Sequence, residues 1–378
     1  MRRRRFVQLG TPLFTGALVA GCRGETPADD RARPAPPSGG PAPKRVMPEE
    51  GQPHERTWMA FGVSDRVWEP AQVPVAQRNL ATIATAIARF EPVSMLVRQD
   101  ELDLARGLVG DANVELVAAE LDDLWMRDTG PVFVHSGNDT AGVDFNFNGW
   151  GGKQGHPRDA KVAGFVTARA GAETVHTDLV LEGGGIEVDG EGTAIITESC
   201  VLNENRNPGK SKKDVEAKLA DLLGLKKIIW LPGIAGRDIT DGHTDFYARF
   251  ARPGIVVAGL DTDPQSYDHE VTERHLAILK AATDASGRPL RVEVIKGPAT
   301  VRPEFASDDF AAGYINFYLC NGGVIAPEFG DAEGDSAARA TLERLFPDRE
   351  VVQLNIDGIA AGGGGIHCTT QQEPAGKP

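Results

Sequence analysis

Residues 186–231, IEVDGEGTAIITESCVLNENRNPGKSKKDVEAKLADLLGLKKIIWL, contain the pattern that decides the fold. The first twelve residues are largely apolar and are broken by the turn residues DGEG, which is typical of a β-hairpin. Residues 212–223 then predict a helix that Ser211 is placed to cap, and residues 227–231 predict a further strand. The stretch therefore has the order of a ββαβ unit.

The same order of elements recurs along the chain. Further hairpins are predicted at 131–145, 246–260 and 314–326, helices at 77–89, 160–170, 269–283 and 335–345, and following strands at 92–97, 290–295 and 351–355. With strands at 57–61 and 366–370, this makes about five units if the first is split between the two ends of the chain. Pairing those ends would close a ring and remove exposed sheet edges. An open α/β sheet with antiparallel hairpins is the alternative.

Composition agrees with a folded α/β protein. The chain has 378 residues, of which 41% are hydrophobic, enough for a sizeable core. Its formal net charge of −14 disfavours nucleic acid as a partner and is compatible with a small cationic substrate.

The amino terminus resembles an export signal. Four arginines at 2–5 and Phe6 precede an apolar stretch at 13–20 and the residues VAGC, which end at Cys22. This pattern predicts a signal peptide of the twin-arginine and lipoprotein type at 1–21. A Pro- and Gly-rich tether that begins with a lipidated Cys22 is predicted at 22–45, and a single catalytic domain at 46–374. The expected location is the periplasm or cell envelope, with the lipid as the only contact with the membrane, because the apolar stretch is shorter than the ~20 residues of a spanning helix.

Cys368 is the candidate nucleophile. It follows four glycines in GGGGIHCTTQQ, and glycines allow a close approach of the backbone to a ligand. Cys200 and Cys320 lie in apolar, strand-like stretches; they are able to pair, but small buried residues are the favoured interpretation. A Gly-rich loop with a buried cysteine is the alternative interpretation of the motif around Cys368.

His243 is the candidate proton carrier. In DGHTD, the period of two along a strand would place His243 and Asp245 on one face. The pair suits either a general acid/base beside a substrate-binding carboxylate or two metal ligands. Metal is less favoured, because the other histidines are scattered and lack ligand spacing. No metal or cofactor is therefore expected. His367, if on a strand, would face away from Cys368.

Two further acids lie beside turns. Asp128 in WMRDTGP precedes a hairpin, and Glu182 precedes three glycines. Trp125 is placed either to stack on a planar cation or to fill the core. Three acids around a thiol and an imidazole suit a guanidinium, whose five N–H donors match carboxylates.

Taken together, these motifs resemble those of the agmatine deiminases and bacterial-type peptidylarginine deiminases, within the guanidino-modifying enzymes. The resemblance covers about residues 47–374 and rests on TWMRDTGP, FNFNGWGGK, LEGGGIEVDGEGT, ESCVLNENRNPG, TDGHTD, YINFYLCNGG and GGGGIHCTTQQEP. It implies the fivefold pseudosymmetric α/β propeller, or pentein fold, of ββαβ units.

The resemblance also implies roles for the site residues. Cys368 would attack the guanidinium carbon to give an amidino-thioether, and His243 would protonate the leaving nitrogen and then activate water. Glu182 would pair with His243 and keep it protonated, which would also favour the Cys368 thiolate. Substrate would be bound by Asp128 and Asp245, with pocket positions for Trp125, Trp150 and Asn316.

The resemblance implies hydrolysis of agmatine to N-carbamoylputrescine and ammonia. Because the export signal departs from the usual family pattern, peptidylarginine or free arginine remains an alternative substrate. A lipid-anchored protein that binds polyamine-like cations, or a Cys-His amidase, would belong to another functional class. Oligomeric state is not predicted.

Overall fold

The computed structural model describes residues 44–63, 68–307 and 309–376. The predicted signal peptide, Cys22 and the tether up to residue 43 lie outside this part of the chain. Arg45, the last residue of the predicted tether, pairs with Ser136 in a strand. Within the described residues, no helix combines the length and apolar character needed to cross a membrane.

Strands and helices alternate through the described part of the chain. The strands are β1 (Arg45–Val46), β2 (His54–Phe61), β3 (Val93–Val97), β4 (Val114–Ala118), β5 (Val132–Ser136), β6 (Asp139–Asp144), β7 (Glu173–His176), β8 (Ile186–Val188), β9 (Thr193–Thr197), β10 (Lys227–Leu231), β11 (Ala248–Arg252), β12 (Ile255–Leu260), β13 (Arg291–Lys296), β14 (Tyr318–Cys320), β15 (Gly323–Glu328), β16 (Glu350–Asn355) and β17 (Thr370–Pro374). The α-helices are α1 (Val73–Ile87), α2 (Leu102–Val109), α3 (Met126–Thr129), α4 (Gly149–Gly152), α5 (Val162–Arg169), α6 (Glu198–Val201), α7 (Lys212–Leu223), α8 (His269–Ala281), α9 (Ala332–Leu345) and α10 (Asp357–Ala361).

The unit at 186–231 forms as predicted. Strands β8 and β9 pair antiparallel across the DGEG turn, and β10 adds parallel to β9. Ser211 caps α7 by accepting from the Asp214 amide, while the Asp214 side chain accepts from the Ser211 amide. Gly224 ends the helix with a φ of 73°, a conformation that costs glycine little. Local sequence signals therefore specify this unit at both ends of its helix.

The described strands form five sheets with one recurring arrangement. Each sheet has an antiparallel pair and a strand added parallel to it after a helix. The helices that make these parallel connections are α1, α5, α7, α8 and α9. The predicted pairing of the two chain ends is confirmed, because β17 lies antiparallel to β2. The α/β class and the repeated ββαβ order are thus confirmed.

The predicted terminal strand at 366–370 is partly wrong. Residues His367–Thr369 form a 3₁₀ turn, and β17 begins only at Thr370. The hydroxyls of Thr369 and Thr370 donate to the Ile366 carbonyl at 2.8 and 3.1 Å. Such local side-chain bonds compete with strand pairing, so the nucleophile candidate lies on a turn at the start of the closing strand.

The two other cysteines are free and buried, in agreement with the favoured interpretation. Cys320 ends β14, but Cys200 lies in the helical turn α6 rather than in a strand. The predicted hairpin at 314–326 is also shorter than expected, because β14 starts at Tyr318.

Candidate active site

Cys368 is buried, with 6% of the residue exposed, and it faces two polar side chains from other parts of the chain. Its Sγ lies 3.6 Å from Oδ2 of Asp245 and 3.5 Å from Oδ1 of Asn316. The Cys368 amide also donates to Asn316 Oδ1 at 3.3 Å. The side chain of Asn316 thus fixes both the backbone and the thiol of the nucleophile candidate.

His243 and Asp245 do not lie on a strand, so the periodicity argument for their proximity is wrong. His243 precedes a 3₁₀ turn at Thr244–Phe246, after Asp241 and Gly242 with φ values of 61° and 89°. The Thr240 hydroxyl accepts from the His243 amide at 3.0 Å, which holds the turn. The turn nevertheless directs both side chains into the same buried site.

Gly184 marks the point where three predicted site residues meet. A methyl group at residue 184 would lie 2.6 Å from His243 Nδ1, 2.9 Å from Asp128 Oδ1 and 3.1 Å from Asp245 Oδ2. The Gly184 amide donates to Asp128 Oδ1 at 3.1 Å. Only glycine permits this approach, because any Cβ would displace the polar groups.

Glu182 lies on the other side of the His243 ring. Its Oε2 is 3.3 Å from His243 Nε2, while His243 Nδ1 is 3.7 Å from Asp128 Oδ1. Nε of Arg206 donates to both oxygens of Glu182 at 2.9 Å. The imidazole therefore lies between two carboxylates, one of which is fixed by a buried guanidinium.

Both tryptophans that were predicted to line the pocket donate hydrogen bonds to carboxylates. Trp150 donates from Nε1 to Asp128 Oδ2 at 2.9 Å and has a φ of 55°, unusual for a bulky residue. Trp125 is 4% exposed and donates to Asp123 Oδ2 at 3.0 Å. Its ring stacks on Trp68 with centroids 6.1 Å apart. Trp150 thus orients Asp128, whereas Trp125 is a buried residue packed against Trp68.

The electrostatics of the site favour a charged imidazole. Burial opposes the imidazolium, but the Asp128 carboxylate and hydrogen bonds with Cys200 and Glu182 raise the pKa of His243 well above 6.5. Burial likewise opposes ionisation of Glu182, yet Arg206 and His243 outweigh it and lower the pKa of Glu182 to about 2. His243 is therefore suited to donate a proton at neutral pH.

The pKa values of the two acids near the thiol are shifted in opposite directions. Burial raises the pKa of Asp128 to about 6, against the opposing effect of His243. For Asp245, burial opposes ionisation, but the hydrogen bond from His367 and the positive charges of His243 and Arg249 lower the pKa to about 2. Both carboxyl groups are thus mainly ionised at neutral pH, as cation binding requires.

Burial and two carboxylates act against the predicted activation of Cys368 by the His243 charge. Burial raises the pKa of the Cys368 thiol well above 9, and the Asp245 and Asp128 carboxylates raise it further. The nearest charges are negative, and a negative charge disfavours a neighbouring thiolate. Forming the thiolate at neutral pH therefore requires a positive charge close to these two acids.

Sequence reasoning missed three residues that hold the site together. Arg206 binds Glu182, and Glu50 and His367 form a buried chain that reaches Asp245. Arg206 lies in NENRNPG, where a charged residue amid turn-forming residues is a sequence signal for such a contact. A strand at 366–370 would turn His367 away from Cys368, whereas the observed 3₁₀ turn brings its side chain to Asp245.

Among the described residues, Glu182, Cys200 and His243 offer metal-ligating atoms within 4.8 Å of one another. Both oxygens of Glu182 already accept from Arg206. A cation at this position would have to compete with that guanidinium, so the donor set fits an ion pair better than a metal.

Comparisons with known proteins identify the family and the fold of the chain. Residues 46–374 match the family described as Porphyromonas-type peptidyl-arginine deiminase. Agmatine deiminase of Pseudomonas aeruginosa strain LESB58 is 41% identical over 352 residues, which cover 87% of this chain and 95% of that protein. The structure of Enterococcus faecalis agmatine deiminase superposes with a TM-score of 0.83 at 34% identity, and the match covers 88% of this chain and 96% of that one. The chain therefore belongs to the Porphyromonas-type peptidyl-arginine deiminase family, with the fold of the agmatine deiminases.

Proposed function

We propose that the protein hydrolyses the guanidinium group of agmatine to N-carbamoylputrescine and ammonia. The observation that carries this proposal is the meeting of the Cys368 thiol with Asp245, and of Asp245 with Asp128 and His243 over Gly184. Two carboxylates beside a buried thiol match a planar cation that donates several hydrogen bonds. Relatives at about 40% identity carry the name agmatine deiminase, which supports agmatine as the substrate.

Substrate binding also explains how a thiol of raised pKa reacts. A guanidinium held by Asp128 and Asp245 neutralises the two charges that oppose ionisation of Cys368. The thiolate then lies beside the guanidinium carbon in a site that excludes water, which favours attack.

The reaction then proceeds in two steps. Sulfur bonds to the guanidinium carbon, the bond to one terminal nitrogen breaks, and His243 supplies the proton with which that nitrogen leaves as ammonia. His243 next takes a proton from water, whose oxygen bonds to the same carbon while the carbon–sulfur bond breaks. The second proton of that water passes to the leaving sulfur, so the oxygen remains as the carbonyl of N-carbamoylputrescine and Cys368 recovers its thiol. The proton that the thiol lost on ionising combines with the released ammonia to give ammonium. Glu182 keeps the His243 ring oriented in both steps.

The experiment that tests this function is the mass of the intact protein after brief incubation with agmatine. An increase equal to agmatine less ammonia, located on Cys368, identifies nucleophile and substrate together. Parallel ammonia assays with free arginine and an arginyl peptide test the other substrates of the family. If none of the three releases ammonia while Cys368 is intact, the proposal is wrong. Tight binding of unaltered agmatine that survives Cys368→Ala would instead indicate a binding protein.

We also propose that the protein is an exported lipoprotein anchored through Cys22. The support is the sequence itself: paired arginines, a short apolar stretch and a cysteine after small residues. Incorporation of labelled palmitate in the wild type and its loss in Cys22→Ser would support the anchor. Equal labelling of both proteins, or a soluble wild type that retains residues 1–21, would contradict it.

A further inference from the structure

Glu50 is a buried carboxylate between β1 and β2 that binds groups from four distant parts of the chain. Its Oε1 accepts from Arg249 Nη2 at 2.7 Å and from the Leu319 amide at 2.9 Å. Its Oε2 accepts from Arg127 Nη2 at 3.1 Å and lies 2.8 Å from His367 Nε2. Glu50 itself is 8% exposed, so these contacts face little competition from water.

His367 links Glu50 to the proposed substrate acid. Its Nδ1 lies 2.8 Å from Asp245 Oδ2, the same oxygen that is 3.6 Å from Cys368 Sγ. The ring therefore lies between two carboxylates, and a rotation that keeps one contact loses the other. Burial of His367, with 1% of the residue exposed, makes either loss costly.

Glu50 also controls the backbone beside the nucleophile. Arg127, which Glu50 binds, donates from Nε to the carbonyl of His367 at 3.3 Å and from Nη1 to Gln372 at 2.8 Å. The residue before Cys368 is thus fixed through its side chain by Glu50 and through its carbonyl by Arg127. A shift of Glu50 would move Asp245 and the turn that carries the thiol together.

Asp245 needs this support because its other oxygen is free to bind. Among the described residues, no side chain or backbone group hydrogen-bonds to the buried Oδ1 of Asp245. A carboxylate held at Oδ2 and open at Oδ1 presents one oxygen in a fixed direction. Alignment of the guanidinium carbon with sulfur depends on that direction.

We propose that Glu50 is a positioning residue for guanidinium hydrolysis, acting through His367 on Asp245. The inference rests on the proposed function, since the orientation of the Asp245 carboxylate matters for the reaction only if Asp245 binds the reacting cation. Among the described residues, the hydrogen-bond partners of the Glu50 side chain do not include the thiol or the acids over Gly184, so Glu50 reaches Asp245 through His367.

The test compares Glu50→Gln with Glu187→Gln by steady-state kinetics on agmatine and by thermal unfolding. Glu187 is a matched control because it also gives a buried carboxylate to Arg249, at 2.8 Å, and its other oxygen accepts from the Phe250 amide. We expect kcat to fall about tenfold or more in Glu50→Gln, because misplacement of a reacting group by a small distance has effects of this size. In Glu187→Gln, kcat should stay within about threefold of the wild type at a temperature where both variants are folded.

The outcomes separate the two proposals. Equal losses of kcat in both variants, or a Glu50→Gln enzyme within about threefold of the wild type, would overturn the positioning role while the function stands. A wild type that hydrolyses no guanidine removes the proposed function, and the positioning role with it. If Glu50→Gln does not fold, His367→Asn breaks the same link and leaves the arginine contacts of Glu50 in place. A folded His367→Asn enzyme with wild-type kcat would overturn the proposal.

Discussion

The Sγ of Cys368 and the Oδ2 of Asp245 lie 3.6 Å apart in a buried site. A carboxylate at this distance from a thiol opposes its ionisation, and the effect is strong where water is excluded. The same carboxylate attracts a guanidinium. Asp245 therefore disfavours the thiolate in the free enzyme and binds the cation whose charge favours the thiolate in the complex. Reactivity of Cys368 should therefore depend on whether the acids beside it are charged and unpaired.

Replacing Asp245 by Asn should make the thiol more reactive and the enzyme less active. Loss of the charge lowers the pKa of Cys368, so alkylation by iodoacetamide should begin at lower pH than in the wild type. Hydrogen bonds to charged groups contribute about 1.5–3 kcal/mol, so kcat/KM should fall by about 10- to 100-fold or more. Peptide mass spectrometry distinguishes Cys368 from Cys200 and Cys320 as the labelled thiol.

The matched control for this experiment is Asp214→Asn, which removes an acid at the exposed start of α7. It should leave both the alkylation profile of Cys368 and kcat/KM unchanged. An Asp245→Asn protein whose thiol reacts only at higher pH than the wild type would contradict the electrostatic account.

The decrease of kcat/KM at low pH, the acid limb of its pH profile, should follow the protonation of Asp128. Its pKa is about 6, so below that pH the carboxyl group takes a proton and loses the charge that binds the cation. Trp150 donates to Asp128 and thereby favours the ionised form. Trp150→Phe should therefore raise the pKa of Asp128 and move the acid limb to higher pH. The measurement is the pH dependence of kcat/KM for agmatine.

Trp125→Phe is the control, because its indole N–H donates to Asp123 instead. It should leave the position of the acid limb unchanged, whatever it does to KM. Equal shifts in the two variants would show that the limb does not belong to Asp128.

Gly184→Ala should abolish most of the activity while Gly185→Ala retains it. A Cβ at 184 would lie 2.6 Å from His243 Nδ1 and 2.9 Å from Asp128 Oδ1, so these side chains must move. At residue 185 the nearest atoms are Cys200 Sγ at 3.6 Å and His243 Cδ2 at 3.8 Å, which are ordinary contacts. A displacement of about 1 Å in a catalytic group costs on the order of 100-fold in rate. Ammonia release from both folded variants checks this; similar activities would contradict the convergence over Gly184.

Features that depend on residues close together in the sequence could be predicted, whereas most features that depend on distant residues could not. The unit at 186–231 was predictable because a turn, a cap and a C-terminal glycine each lie within a few residues of the element that they delimit. Pairing of β17 with β2 was predictable only from counting repeats and from the general cost of open sheet edges.

The site was less accessible to such reasoning. Motifs identified Cys368, His243 and the acids. The predicted strand at 366–370 would turn His367 away from the site, so the contact of His367 with Asp245 was not predicted. The effect of Asp245 and Asp128 on the thiol pKa could not be predicted from sequence, because it depends on which charges lie nearest in space. Glu50 gave no local signal, since its partners come from residues 127, 249, 319 and 367.

Arg206→Gln should destabilise the fold far more than the loss of an exposed arginine. Arg206 and Glu182 have side chains with 0% exposure, and Arg206 also binds Asp241 at 2.8 Å. Removing one partner leaves Glu182 as a buried charge with less compensation, which typically costs about 3–5 kcal/mol. Arg89→Gln removes an ion pair with Glu350 whose side chains are about half exposed, so its cost should stay below about 1 kcal/mol. Urea unfolding gives both values, and equal costs would contradict the account.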